Sequence, residues 1–274
     1  MTIDPRRPGK VVLLVATLLV MAGSLAAHDL FLKLDSYFLP VNTAVRVPVL
    51  NGTFTKSESV VARDRVAGIT VLGPGGATSL DTTALTARGD TSFINLRTGP
   101  EGTYVLGFSV RPRENSRTGA EFMEYLKAEG MDDLHDQLIR TGVPTGSVSQ
   151  RYAKHVKAIF QVGDSRSDSW ARPLGYQAEI VPLENPTVLR PGDTLRIRCL
   201  IGGVPAAGVT VIVGGQTPAG TPHREVRLRT DPDGMAAIPL TAGRAYAKFL
   251  VARPTKEVGI NYDTHWATLT FAVR

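Results

Sequence analysis

Three residues of the sequence have side chains that could together bind a transition metal: His28, Asp29 and His265. Imidazole nitrogen is a good ligand for Ni, Co, Cu and Zn, and a carboxylate can add an oxygen ligand. Beside a newly formed N-terminus, a histidine ring and a main-chain nitrogen can also close a chelate around one ion. The alternative is that His28 only begins the first strand, and that His265 is an edge-strand histidine that would need the two ends of the chain to meet.

The remaining histidines give weaker signals. The five histidines of the sequence form no HxH, HxxH or HExxH pair, so no short motif defines a metal site. His135 lies in the acidic segment 132–136, which could hold a cation but is also typical of a solvated helix start. His155 and His223 have basic neighbours that disfavour a bound metal, and we interpret both as structural or exposed.

Residues 1–27 have the pattern of a secretory signal. Basic residues precede the uncharged run 11–27, and that run ends in small residues suited to cleavage. An uncleaved membrane anchor is the alternative. We therefore expect a periplasmic or secreted protein, with no membrane span once the signal is removed.

Two cleavage positions decide what lies at the mature N-terminus. Cleavage after Ala26 leaves Ala27 terminal, so that the amine, an amide nitrogen and the His28 ring can converge on a metal. Cleavage after Ala27 makes His28 itself terminal, and its amine and ring can then form the chelate.

Composition excludes several classes of protein. The formal net charge is +6 over 274 residues, which is mild and makes nucleic acid a poor candidate partner. The single cysteine, Cys199, excludes a disulfide framework and a CxxC metal site, and we interpret it as a core residue. The sequence lacks a GxSxG elbow, a P-loop, a dinucleotide-binding GxGxxG and an SxxK motif, so we expect a protein that is not an enzyme.

Alternating apolar residues and frequent Gly and Pro predict an all-β fold with two immunoglobulin-like β-sandwich domains. Residues 28–163 would form an N-terminal β-rich domain. Residues 164–175, polar and turn-rich, would be a linker. Residues 176–274 would form a C-terminal immunoglobulin-like sandwich of about seven strands.

Two segments depart from simple alternation. Residues 116–140 show helical spacing and predict a short helical insertion, which Gly130 divides into two helices. Residues 150–162 fit either a helix face or a strand face, and we favour a strand because the segment ends in a turn at Gly163.

The triplet Arg63-Asp64-Arg65 is the most polar element of the predicted first domain. We interpret it as a surface ion-pair cluster, which would contribute little to stability. The alternative is an anion clamp, since the guanidinium fork binds carboxylates through two parallel hydrogen bonds.

Several stretches of the chain carry a family resemblance: AHDLFLK (27–33), LNGTF (50–54), VARDR (61–65), PGDT (191–194), TDPDG (230–234) and WATLTF (266–271). Together they resemble the DUF4198 family, exported bacterial proteins similar to periplasmic components of nickel and cobalt uptake systems. The resemblance spans nearly the whole mature chain and implies a β-rich periplasmic protein that could bind metal.

Export, His28 and the resemblance together predict a non-enzymatic protein that binds nickel or cobalt, with copper and zinc as other candidates, and assists uptake. A membrane transporter component is the candidate partner. The alternative prediction is an immunoglobulin-like interaction or carbohydrate-binding module of the envelope that uses no metal.

Overall fold

The computed structural model describes residues 28–274. Strands account for 51% of the structure and helices for 13%, which confirms a mostly β protein built as a multi-sheet sandwich. The elements are β1 (Asp29–Leu32), β2 (Phe38–Leu39), β3 (Ala44–Gly52), β4 (Val66–Gly73), β5 (Gly76–Leu80), β6 (Leu85–Arg88), β7 (Thr91–Arg97), β8 (Gly102–Val110), β9 (Arg113–Thr118), α1 (Gly119–Ala128), α2 (Asp132–Thr141), β10 (Ser147–Val162), β11 (Ala178–Pro182), β12 (Thr194–Ile201), β13 (Val204–Pro205), β14 (Thr210–Gln216), β15 (Val226–Arg229), β16 (Met235–Pro239), β17 (Gly243–Pro254) and β18 (Tyr262–Val273).

The strands form three sheets. The first has the order β1-β3-β7-β6. The central sheet has the order β15-β14-β17-β18-β10-β8-β4-β5, and β2 and β9 also pair with β10. The third has the order β11-β12-β13, with β16 on the other side of β12.

The central sheet joins the two predicted domains. Strand β10 pairs with β18 in parallel, from Gln150 opposite Tyr262 to Ala158 opposite Thr270. Strands from both halves of the chain thus share one hydrogen-bonded sheet. The division into two immunoglobulin-like domains stays a prediction.

The central sheet has two buried faces, because neighbouring residues of a strand point to opposite sides. One face, which we call the helix face, carries Lys154, Lys248 and Trp266 and is covered by the first sheet, α1 and α2. The other, which we call the opposite face, carries Leu269 and Phe271 and packs against the third sheet. Cys199 lies fully buried in the core between the central and third sheets, as expected.

The predicted helical insertion is confirmed as α1 and α2, although it begins at residue 119 because the preceding residues belong to β9 and pair with β10. A capping box starts α1: Glu121 N donates to Thr118 Oγ1 at 3.2 Å, and Thr118 N donates to Glu121 Oε2 at 2.8 Å. Gly130 separates the helices with a φ of +74°, a conformation that favours glycine.

The ambiguous segment 150–162 is confirmed as a strand, since it lies within β10. The predicted linker, 164–175, folds onto the protein: Trp170 and Leu174 pack against the core between the central and third sheets. Within residues 28–274, α1 and α2 fall short of the length and hydrophobicity of a membrane-spanning helix.

Candidate functional site

His28 immediately precedes β1 and is about half exposed, with its ring directed at a carboxylate. Its Nε2 lies 2.7 Å from Oε2 of Glu58. Glu58 reaches this position because the segment after β3 folds back, with Glu58 N donating to Asn51 O at 2.9 Å. The sequence analysis missed Glu58, since the 30-residue separation from His28 leaves no short motif to detect.

The contact with Glu58 determines which nitrogen of His28 is free to bind a metal. Metal-binding histidines commonly donate their second ring N–H to a carboxylate, which fixes the tautomer and the orientation of the ring. With Nε2 facing Glu58, Nδ1 remains, and this is the nitrogen nearer the main chain. Both predicted cleavage positions require Nδ1, because only that atom closes a small chelate ring with a main-chain nitrogen.

One carboxylate oxygen of Asp29 is bound by a lysine. Its Oδ2 accepts from Lys248 Nζ at 2.5 Å, and Lys248 Nζ also lies 3.3 Å from Oε2 of Glu129 at the end of α1. Lys154 Nζ donates to the carbonyl oxygen of His28. We call Asp29, Glu129, Lys154 and Lys248 the charge cluster.

Burial and mutual attraction set the ionisation of the charge cluster. Burial lowers the pKa of Lys154 to about 8, although Asp29 and Glu129 oppose this shift. Burial alone would also lower the pKa of Lys248, but the attraction of the two carboxylates outweighs it and the pKa is raised. Burial raises the pKa of Glu129 against the pull of Lys248. The two lysines and Glu129 therefore influence one another's ionisation.

His265 is not brought to His28 and Asp29, because it projects from the other side of the central sheet. In the parallel register, Ala153 lies opposite His265 and Lys154 opposite Trp266. Lys154 contacts His28 from the helix face, and its register partner Trp266 shares that face. His265 precedes Trp266 in β18, so its side chain points to the opposite face. Among residues 28–274, no three His, Cys, Asp or Glu side chains converge as a metal site.

His265 instead belongs to a stack of rings on the opposite face. Its ring is nearly parallel to that of His155, with centroids 6.0 Å apart, and His155 stacks in turn on Tyr176 at 5.2 Å. Ser109 Oγ lies 2.7 Å from His155 Nδ1. Burial lowers the pKa of His155 to about 4 and also lowers that of His265. Both rings are therefore neutral near pH 7.

The fold and the site define a mostly β protein with a histidine–carboxylate pair at the start of its first strand. The chain belongs to the family described as domain of unknown function (DUF4198), which matches residues 25–251. This match confirms the family resemblance found in the sequence. No curated protein matches the chain.

Two solved structures have limited similarity to the chain. Trypsin-activated alpha-2-macroglobulin from Escherichia coli is 12% identical over 90% of this chain, with a TM-score of 0.23. Native alpha-2-macroglobulin from Escherichia coli, spanning domains MG0-NIE-MG1, is 12% identical over 90% of this chain, with a TM-score of 0.20. The chain spans 16% of the length of the first and 72% of the second.

Proposed function

We propose that this is an exported, non-enzymatic periplasmic protein that binds a divalent transition metal through His28 and assists its uptake. Nickel and cobalt are the leading metals, and copper and zinc are the alternatives. The observation that carries the proposal is the 2.7 Å contact between His28 Nε2 and Glu58. A transporter component of the membrane is the partner that would receive the metal.

The donor set would consist of Nδ1 of His28 and one or two main-chain nitrogens of the processed terminus. Nitrogen donors of this kind suit nickel, cobalt and copper. Glu58 would orient the ring from the far side. Asp29 would have a supporting role, because Lys248 already neutralises its charge.

The test is calorimetric titration of the exported protein with Ni²⁺, Co²⁺, Cu²⁺ and Zn²⁺, after intact mass has fixed its first residue. We expect His28→Ala to abolish binding and Glu58→Gln to weaken it about tenfold or more, the usual loss when an outer carboxylate is removed. His223→Ala is the matched control and should bind as the parent does. Equal binding by the parent and His28→Ala would contradict the assignment.

A groove near the predicted linker supports the second candidate, an envelope module that binds a glycan or another ligand without metal. Trp170, Val181, Leu200 and Pro205 are among the residues that line a cavity of about 350 Å³, within the usual size of ligand sites. A glycan array that detects binding, together with loss of that binding in Trp170→Ala, would favour this candidate over metal transport.

A further inference from the structure

Another cavity, with a polar lining, lies beside the charge cluster on the helix face of the central sheet. We call it the polar cavity. It is bounded by the short 3₁₀ helix at residues 63–65, the start of β9 and the middle of β10. Its volume is about 130 Å³, well above the roughly 10–15 Å³ that admits one water molecule. Its charged and aromatic lining consists of Arg65, Arg113, Tyr152 and Lys154.

The two arginines of this cavity have no anionic partner. Nη1 of Arg65 is buried and makes no hydrogen bond within the part of the chain that the structure describes. In that same part, neither Arg65 nor Arg113 forms an ion pair with a carboxylate. Leaving a buried charged donor without an acceptor costs free energy. An anion bound in the cavity would supply an acceptor for this atom.

The arginines also act on one another. Burial lowers the pKa of Arg65, and the charge of Arg113 lowers it further, while Tyr152 opposes the shift. The adjacent Asp64 influences Arg65 less than Arg113 does. Within residues 28–274 the triplet 63–65 forms no ion pair, so the predicted ion-pair cluster is wrong and Arg65 has no carboxylate partner.

Arg151, which lies on β10 next to Tyr152, shows how an arginine with carboxylate partners differs. Arg151 contacts Asp263 at 2.7 Å and Glu257 at 2.6 Å, so its guanidinium is satisfied by two carboxylates. Arg65 differs because its guanidinium faces a cavity rather than an acid.

Counting the charges around the cavity gives the kind of ligand. Lys154 belongs to the charge cluster, where two lysines face two carboxylates. Arg65 and Arg113 line the cavity without an ion-paired carboxylate in residues 28–274, so both positive charges are available to a bound dianion. We infer that the cavity binds a small oxyanion with two negative charges, such as sulfate, phosphate or the end of a dicarboxylate.

The geometry of the lining suits such a ligand. The guanidinium fork of Arg65 can donate two parallel hydrogen bonds to one oxyanion. The Tyr152 ring is near both cations, with its centroid 5.7 Å from Arg65 Cζ and 5.9 Å from Lys154 Nζ. The inference is independent of the proposed metal site, because it uses neither His28 nor Glu58 as a ligand.

The experiment is calorimetric titration of metal-depleted exported protein with inorganic sulfate, inorganic phosphate and malonate at constant ionic strength, with chloride as the monoanion. We expect one-to-one saturable binding of at least one dianion and none of chloride. Arg113→Gln removes an exposed charge at the cavity and should weaken binding about tenfold or more. Arg65→Lys, which keeps the charge but loses the fork, should also weaken it.

Arg111→Gln is the matched control, because it removes the same charge two residues away and outside the lining. Binding by this variant should stay within about twofold of the parent. His28→Ala should bind the dianion as the parent does, which separates this inference from the metal proposal. Absence of saturable binding of all three dianions, or an equal loss in Arg111→Gln and Arg113→Gln, would overturn the inference.

Discussion

The two faces of the central sheet hold buried charge in different ways. On the opposite face, Lys157 Nζ donates to Glu179 Oε1 at 2.8 Å, and both side chains are only 2% exposed. The Glu179 carboxylate also accepts three backbone N–H groups at 2.6, 3.0 and 3.2 Å, those of Leu174, Gly175 and Tyr176. On the helix face, Lys248 donates to the carboxylates of Asp29 and Glu129. Oδ1 of Asp29 has no partner within residues 28–274.

This difference distinguishes the Lys157–Glu179 pair, which has a structural role, from the charge cluster, which is a candidate binding site. The Glu179 carboxylate accepts from Lys157 and from three backbone N–H groups, and it thereby fixes the segment 174–176 against the sheet. The charge cluster has more acceptors than its lysines satisfy, and Lys154 borders the polar cavity. We call the ion pair of Lys157 and Glu179 the closed pair, and we expect it to matter most for stability. We expect the charge cluster to matter most for binding.

The largest expected effect is on the closed pair. Lys157→Met leaves the Glu179 charge buried, so it should lower the free energy of unfolding by about 3–5 kcal/mol. Lys248→Met should cost less, about 1–3 kcal/mol, because Lys154 stays near both carboxylates. Urea unfolding followed by circular dichroism measures both values.

Lys127→Met is the control for these two variants, since Lys127 is exposed on α1 and should change stability by less than about 0.5 kcal/mol. A larger loss in Lys248→Met than in Lys157→Met would reverse the comparison between the two faces.

The ring stack on the opposite face predicts a pH dependence of stability. Unfolded histidine binds a proton below about pH 6.5, whereas His155 in the fold stays neutral down to its pKa of about 4. Between these values the unfolded state binds more protons, so the free energy of unfolding falls as the pH is lowered, by about 3 kcal/mol in total. Below about pH 4 this contribution is constant. His265, Tyr176 and Ser109 are the polar groups that face the ring.

The measurement is the difference in unfolding free energy between the parent and His155→Gln at several pH values from 4 to 7. The parent should lose stability more steeply than the variant in this window. His223→Gln removes a histidine that hydrogen-bonds Thr241 at an exposed position, and it should keep the parent's slope. Identical slopes for the parent and His155→Gln would show that His155 is not the group responsible.

Local patterns in the sequence predicted many of the elements, although not β9, and they did not predict how the strands assemble. The turn at Gly163 favoured a strand for residues 150–162, whose periodicity was ambiguous, and glycine at position 130 marked the break between helices. The parallel pairing of β10 with β18 joins residues more than 100 positions apart, and no local pattern encodes it.

The site shows the same limit. The sequence singled out His28, whereas its contact with Glu58 depends on how the segment after β3 folds back. Export stays a prediction. Alternation also could not exclude His265 as a partner. It determines which residues share a face of β18 but not which face β1 covers, and the structure places β1 on the other side.

The smallest expected effect concerns the helices that cover the charge cluster. A Cβ added at Gly130 would lie 2.9 Å from Thr210 Cγ2, at a φ of +74° that side chains rarely adopt. Gly130→Ala should therefore lower the free energy of unfolding by about 1–2 kcal/mol. Gly146→Ala is the control, since its Cβ would meet no atom within 4 Å and its φ is ordinary.

A double-mutant cycle turns this substitution into a test of the two faces. Glu129 precedes Gly130 and contacts Lys248, so Gly130→Ala and Lys248→Met should be non-additive by about 0.5 kcal/mol or more. Gly130→Ala and Lys157→Met act on different faces and should be additive within about 0.3–0.5 kcal/mol. Coupling of equal size in both cycles would mean that the central sheet transmits strain between its faces. The closed pair and the charge cluster would then not be independent.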